Sequence, residues 1–323
     1  VIWVVQLLCM DMKNSTIALL PIDLVPRRVL ARMGAVGAIP MGILTFLAYT
    51  YGMRLTRISE YFPYLLAAGV MIVTTLVSGL TIKEPPIRKQ ATEPFKPWSA
   101  PKVGCRDKRI LLLMFSIPLV MAPNMMFGTW IWLYAQNTLG FVRDQTADCL
   151  RWSPLASIVL AFPLAWMADR INPYRMAAFG LLLQYALLYV LLTVHSATGI
   201  IGASLLLLLC NAFVGAASIM VARSAHPAEV GSVTSSLALI NNMSAGTLVA
   251  LSGCLIEGLG KNYHAAFIMG TGVSTLGFIV LLFYRSVMIK GGPLQAGEVE
   301  GLQSTPPADI APATASLIEV IPS

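Results

Sequence analysis

The sequence predicts an all-α transmembrane protein, a helical bundle of about nine spans, and three observations predict it. Of its 323 residues, 57% are hydrophobic and 11% are charged, against about 25% charged in a soluble globular chain. The apolar residues come in runs of about 20, the length at which a helix crosses a bilayer core. These runs are continuous, whereas the strands of a membrane barrel alternate over about ten residues. Inside lipid the backbone must satisfy its own hydrogen bonds, which leaves helices as the spanning element.

The spans are expected at residues 1–22, 34–53, 62–82, 110–139, 153–168, 176–194, 199–222, 233–259 and 265–288. The first carries Gln6, Asp11, Lys13 and Asn14 within its apolar run. The second spaces Gly34, Ala38 and Gly42 by four, a small-residue seam along which two helices can approach closely, with Pro40 inside it. The fourth is long and contains Pro118 and Pro123, which predict a kink. The fifth is short and ends against Asp169 and Arg170. In the seventh, Asn211, Gly215, Ser218 and Ala222 share one helix face. The eighth carries Asn241 and Asn242 and a weaker seam at Ala245, Val249 and Gly253. Residues 1–82 are expected to form a three-helix N-terminal bundle and 110–289 a six-helix C-terminal one. Between them, 83–109 is basic and holds Pro85, Pro86, Pro94, Pro97 and Pro101, the composition of a cytoplasmic linker. Residues 290–323, rich in Pro, Ala, Ser and Thr, read as a disordered cytoplasmic tail. The sequence starts within an apolar run at Val1, so the expectation is an incomplete beginning.

The net charge of +7 is not read as a nucleic-acid footprint, because the basic residues lie between the apolar runs. One set of connections holds Arg27, Arg28, Arg32, eight Lys or Arg over 83–109, Arg170, Arg175, Arg223, Arg285 and Lys290. The alternate set holds Arg54, Arg57, Arg143, Arg151 and Lys261. Short cytoplasmic loops collect Lys and Arg, so the first set is expected inside, and the C-terminus with it. The expectation is a multi-pass protein of the plasma or inner membrane, in contact with lipid. Five scattered cysteines without a Cys-x-x-Cys pair and three separated histidines predict neither a disulfide framework nor a metal site. No cofactor is expected. The absence of a G-x-x-x-x-G-K-[ST] loop argues against direct use of ATP.

Four stretches carry a family resemblance. "IDLVPRRVLAR" at 22–32, "IKEPP" at 82–86, "AWMADRINPYR" at 165–175 and "HPAEVGSVTSSLALINN" at 226–242 resemble the cytoplasmic turns and helix entries of major facilitator superfamily transporters. The third resembles the second-half copy of the family's G-x-x-x-D-R-x-G-R-R loop. It keeps Asp169 and Arg170, but Ala165 and Asn172 stand where the family has glycines, and an extra residue precedes Arg175. Three helices, a basic loop and six helices resemble such a transporter without its first three helices, most like the sugar–cation symporters. The resemblance implies a secondary transporter rather than an enzyme, with a small-molecule substrate and a coupling proton or cation. It also implies that the first, fourth and seventh spans line a central cavity.

Residue by residue, Asp11 has two readings. An ionisable group in mid-membrane marks an ion path unless a partner neutralises it. It is either a coupling site or half of a structural ion pair, and Lys13, about 200° around the helix, cannot be that partner. Asn14 shares its face and joins the expected substrate contacts. Asn124, Gly128 and Trp132 recur every four residues, a face whose indole and amide suit a sugar ring. Trp132 has the alternative of an interfacial anchor. Asn211 is expected either at the cavity or at a packing seam. Asp169, Arg170 and Arg32 form an expected conformational latch, a carboxylate beside the start of the second span, where it would meet the positive helix end. The alternative is that Asp169 caps its own loop.

The expected function is movement of a small solute, a sugar or related compound, by alternating access with ion coupling. Two rivals stand beside it: a truncated remnant that does not transport, and a membrane-embedded enzyme, which would need a His, Asp or Cys cluster. The orientation predicts that an impermeant thiol reagent added to intact cells modifies Cys149 and spares Cys105.

Overall fold

The structure, a computed structural model, describes residues 30–55, 58–59, 61–81, 108–224 and 230–290, and every regular element among them is a helix. The expected first span with Asp11 and Asn14, most of the 83–109 segment and the 291–323 tail lie outside the described residues.

Helix α1 (Leu30–Leu47) continues through a π-helical turn, Ala48–Gly52, into a last α turn, Met53–Leu55. Helix α2 (Phe62–Thr81) follows, and its apolar side chains Leu65, Ile72 and Leu80 are exposed. Then come α3 (Lys108–Asn137), α4 (Arg143–Leu150), α5 (Trp152–Arg170), α6 (Pro173–Thr193), α7 (Ala197–Ser224), α8 (Val230–Gly258) and α9 (Tyr263–Lys290). Six stretches among the described residues are long and apolar enough to cross a membrane: Ile110–Asn137, Arg143–Ala168, Pro173–Thr193, Ala197–Gly215, Val233–Gly258 and Tyr263–Ser286. They answer to the fourth through ninth expected spans. The second and third answer to α1 and α2, whose apolar stretches are the shorter Ala38–Gly52 and Leu65–Thr74. Among the described residues, six of the expected spans therefore stand at full length.

Helix α3 is the hub. Two thirds of its most apolar window (67%) is buried, against 22–44% for the other five spans. Leu113, Ile117, Met126, Phe127, Ile131 and Tyr134 along it are almost fully enclosed. Lipid tails are as apolar as leucine, so helices in a membrane associate through close packing, which small residues permit. Gly277 of α9 is such a point. A Cβ there would lie 2.7 Å from Leu119 Cβ and 2.9 Å from the Leu119 carbonyl carbon of α3. Gly180 of α6 does the same against Val214 of α7, with 2.8 Å to Val214 Cγ2. The ends are capped locally. Asn172 Oδ1 accepts from Tyr174 N at 3.0 Å with Pro173 in the first turn of α6, the arrangement that favours a helix start. Asn262 Oδ1 accepts from His264 N at 3.1 Å at the start of α9.

One expectation changes. The segment from Arg143 to Arg151, read as a loop, folds as α4 with Thr146, Ala147, Cys149 and Leu150 buried. Thr146 and Leu150, four apart, give it an inner face, while Asp148 faces out and pairs with Arg151 at 2.9 Å. Cys149 is only 6% exposed, so a thiol reagent outside the cell does not reach it. The orientation is therefore tested at the neighbouring position, whose side chain is 57% exposed. Asp148→Cys should be labelled by an impermeant maleimide on intact cells while Cys105 is labelled only after permeabilisation. Labelling of Cys105 alone in intact cells would invert the assignment.

Candidate functional site

Helix α1 lies along α5, and the seam between them has two unlike halves. In one half Ala38 and Ile39 pack on the buried Ala161 and Ala165. The alanines among them let the two helices come close. At the crossing stands Gly42. A Cβ there would come within 2.8 Å of both Ile158 Cγ1 and Ser157 Oγ and 3.1 Å of the Pro154 carbonyl oxygen. A backbone atom among those neighbours cannot swing aside, so any side chain at 42 would pry α1 off α5. The spacing of Ala38 and Gly42, visible in the sequence, thus becomes an observed contact.

In the other half α1 and α5 part, and α3 and α7 complete a cavity of about 320 Å³. Met41, Gly42, Thr45 and Tyr49 line it from α1, and Gly128 and Ile131 from α3. Leu150, Ser153, Pro154 and Ser157 line it from α4 and α5, and Ser204, Leu207 and Leu208 from α7. Among the described residues, no charged side chain lines it. Ligand pockets span roughly 300–1,000 Å³, so this one suits a small guest.

Its polar groups have a definite sense. Thr45 Oγ1 donates to the Met41 carbonyl at 2.8 Å, Ser157 Oγ to the Pro154 carbonyl at 2.7 Å, and Ser204 Oγ to the Ile201 carbonyl at 2.8 Å. Each hydroxyl proton is turned back onto its own helix, the usual way an apolar helix accommodates Ser or Thr. What remains for a guest is the oxygen lone pairs. The walls are thus apolar surfaces studded with acceptors.

Tyr49 owes its position to the π-helical turn. The i→i+5 hydrogen bonding there advances the face differently from an α-helix, and such turns recur at functional sites. Its ring stacks on Trp132 of α3 at 6.3 Å between centroids and 26° between planes, joining α1 to α3 beside the cavity. Tyr49 escaped the sequence reading because an aromatic near a span end reads as an interfacial anchor.

The expected site residues separate. Asn124 is buried and its Oδ1 accepts from Gln184 Nε2 of α6. It serves a contact between helices and is not among the cavity-lining side chains. Gly128, one turn along the same face, does line the cavity. Trp132 is half-buried and meets the cavity only through Tyr49. Asn211 is exposed on α7 and lines no part of the cavity. The three are therefore not brought together. Asp11 and Asn14 lie outside the described residues, as do the side chains of Asp169 and Arg32. Arg170 holds its guanidinium 4.4 Å over the Trp166 ring of its own helix, a cation–π contact at i, i+4. The missed partner, Gln184, had a signal: it is the one amide in an otherwise apolar run.

Residues 152–319 match the family model described as Major Facilitator Superfamily. No curated protein matches the chain.

The Asn124–Gln184 pair generates a stability prediction. Gln184 Oε1 is buried and has no partner of its own, so the pair is already incompletely satisfied. Removing one amide strands the other at a cost of about 1–3 kcal/mol, whereas removing both leaves none stranded. Asn124→Leu and Gln184→Leu should each lower the thermal midpoint in detergent, and the double variant should regain most of the loss. Additive losses in that cycle would show that the two amides do not act as a pair.

Proposed function

The chain belongs to the major facilitator superfamily, whose members are secondary transporters, and from that premise we propose that it carries a small, uncharged organic solute through the cavity between α1 and helices α3, α5 and α7. The observation that carries the proposal is the seam itself, packed in one half and hollow in the other. Such a seam supports alternating access, in which a site opens to one side while the other is held shut.

The lining selects the class of solute. The described lining carries no charge to balance an ion, and burying an unpaired charge is costly. Inward-facing lone pairs suit a guest that brings its own hydroxyl or amine hydrogens. A polyol or small sugar meets that description, and so does a small amine-bearing neutral compound.

Blocking the cavity without disturbing the fold tests this. A Cβ on Gly128 would meet only Leu207 Cδ2, at 3.9 Å, so a larger side chain there enters empty space. Gly128→Phe should cut uptake at least tenfold with little change in thermal midpoint. Gly246→Phe on α8, likewise unobstructed but away from the cavity, should leave uptake within twofold. Equal uptake in both variants would move the substrate path elsewhere.

Coupling and gating complete the proposal. Asp11 is the carboxylate proposed to take the proton or cation, since desolvation raises a carboxyl's affinity for a proton. Asp169 is the proposed latch. Helices α1 and α5 run antiparallel, Gly42 meeting Ser157 and Ile158 while Ala38 and Ile39 meet Ala161 and Ala165. Extending that register by a turn brings Asp169 level with the turn of Arg32 and Gly34. Asp11→Asn should abolish accumulation driven by a pH gradient while sparing exchange. Asp169→Asn should change the inward-to-outward ratio seen by cross-linking and leave affinity unaltered. Gradient-driven accumulation in the first variant, or an unmoved ratio in the second, rejects the corresponding role.

A further inference from the structure

At one end of the bundle the last turn of α3 meets the α6–α7 connection and the start of α9. Tyr134 of α3, fully enclosed, points its phenol into that junction. The phenol oxygen lies 3.2 Å from the Leu191 carbonyl, 3.1 Å from His195 Nδ1 and 3.4 Å from His264 Nε2. The two imidazole rings face one another 6.1 Å apart and 17° from parallel. Tyr263 packs edge-on against Tyr134 and is fixed by Asn137 Nδ2, which donates to its hydroxyl at 2.6 Å. His195 is exposed and His264 half-buried, so the junction is open to solvent on the His195 side.

A phenol has one proton and two lone pairs. When that proton goes to the Leu191 carbonyl, each histidine must present an N–H to the phenol. The same three atoms have a second arrangement. Zinc binds nitrogen or oxygen at about 2.0–2.1 Å, so two ligands at a tetrahedral angle lie about 3.3 Å apart. The two nitrogen-to-oxygen separations, 3.1 and 3.4 Å, bracket that edge. Two imidazoles and one phenol form a donor set for borderline ions of the first transition row, and not for Mg²⁺ or Ca²⁺, which take oxygen.

We propose that His195, His264 and Tyr134 form a site for a divalent transition-metal ion, Zn²⁺ foremost, with water in the fourth position. The imidazoles bind as neutral ligands. The phenol gives its proton to water, so one proton leaves for each ion bound. Tyr263 is a further ionisable side chain in contact with the cluster. Among the described residues no three of His, Cys, Asp and Glu gather, and the third donor here is a phenol. Spacing in the sequence cannot show such a site, since its donors come from three separate elements. An ion there ties α3, the α6–α7 connection and α9 into one unit.

The full chain in detergent micelles tests the site. One equivalent of Zn²⁺ is expected by calorimetry, with a rise in thermal midpoint and release of one proton. Co²⁺ should give the intense visible bands of four-coordinate cobalt. His195→Gln and His264→Gln, which keep polar contacts, should each weaken Zn²⁺ at least tenfold, and Tyr134→Phe should eliminate the proton release. His226→Gln should change none of these. Undiminished Zn²⁺ binding in the two glutamine variants, or no stoichiometric binding by the unaltered chain, overturns the site. Should a variant fail to fold, the unaltered chain suffices. Zn²⁺ should protect His195 and His264 from carbethoxylation as read by mass spectrometry, and equal modification with and without Zn²⁺ overturns the proposal as well.

Discussion

At Gly42 the backbone of α1 reaches contact distance of the Pro154 carbonyl and the Ser157 and Ile158 side chains of α5. The cavity exists because of that contact. Two helices crossing at a point touch there and diverge on either side. Divergence on one side is filled by Ala38, Ile39, Ala161 and Ala165. On the other side it is left to α3 and α7 to enclose, and they leave about 320 Å³. The position of the crossing, set by one missing Cβ, decides where along the seam the space falls. The π-helical turn beyond it carries Tyr49, whose ring rests on Trp132.

Elsewhere in the bundle a few side-chain hydrogen bonds cross between helices. Trp130 Nε1 donates to Ser252 Oγ at 2.7 Å, and Tyr185 and Thr275 hydroxyls meet at 2.8 Å. These bonds link α3 to α8 and α6 to α9. Such bonds between membrane helices average about 0.6 kcal/mol, because polar groups find other partners when helices separate. They orient neighbours more than they bind them. The small-residue contacts at Gly180 and Gly277 set how closely the neighbours lie.

The spans of the C-terminal half were legible because length and apolar continuity are read residue by residue. The seam at Ala38 and Gly42 was legible for a similar reason, since spacing by four puts residues on one face whatever lies opposite. What lies opposite was not legible. Asn124 shares a face with Gly128, yet a helix face is wide enough for one residue to meet α6 while the other meets the cavity. Its fate depended on Gln184, sixty residues away, and no local rule links the two. Helix α4 was lost for a different reason. Its polar outer face, Arg143, Gln145 and Asp148, resembles a loop until the buried Thr146 and Leu150 are seen to be four apart. Histidines judged isolated along the chain are neighbours in space, because antiparallel helices bring turns far apart in sequence to the same end.

The inward-turned hydroxyls at Thr45, Ser157 and Ser204 bear on what an empty cavity contains. Acceptor lone pairs on an apolar wall hold water by its hydrogens. A guest must evict that water, and an oily one would leave the oxygens dry at about 1–3 kcal/mol each. A guest with hydrogens to donate replaces the water bond for bond and adds its own apolar contact. Discrimination at such a wall comes from dehydration, which taxes the wrong molecule more than it rewards the right one. It requires no rigid template, so the walls remain free to move apart when the seam opens.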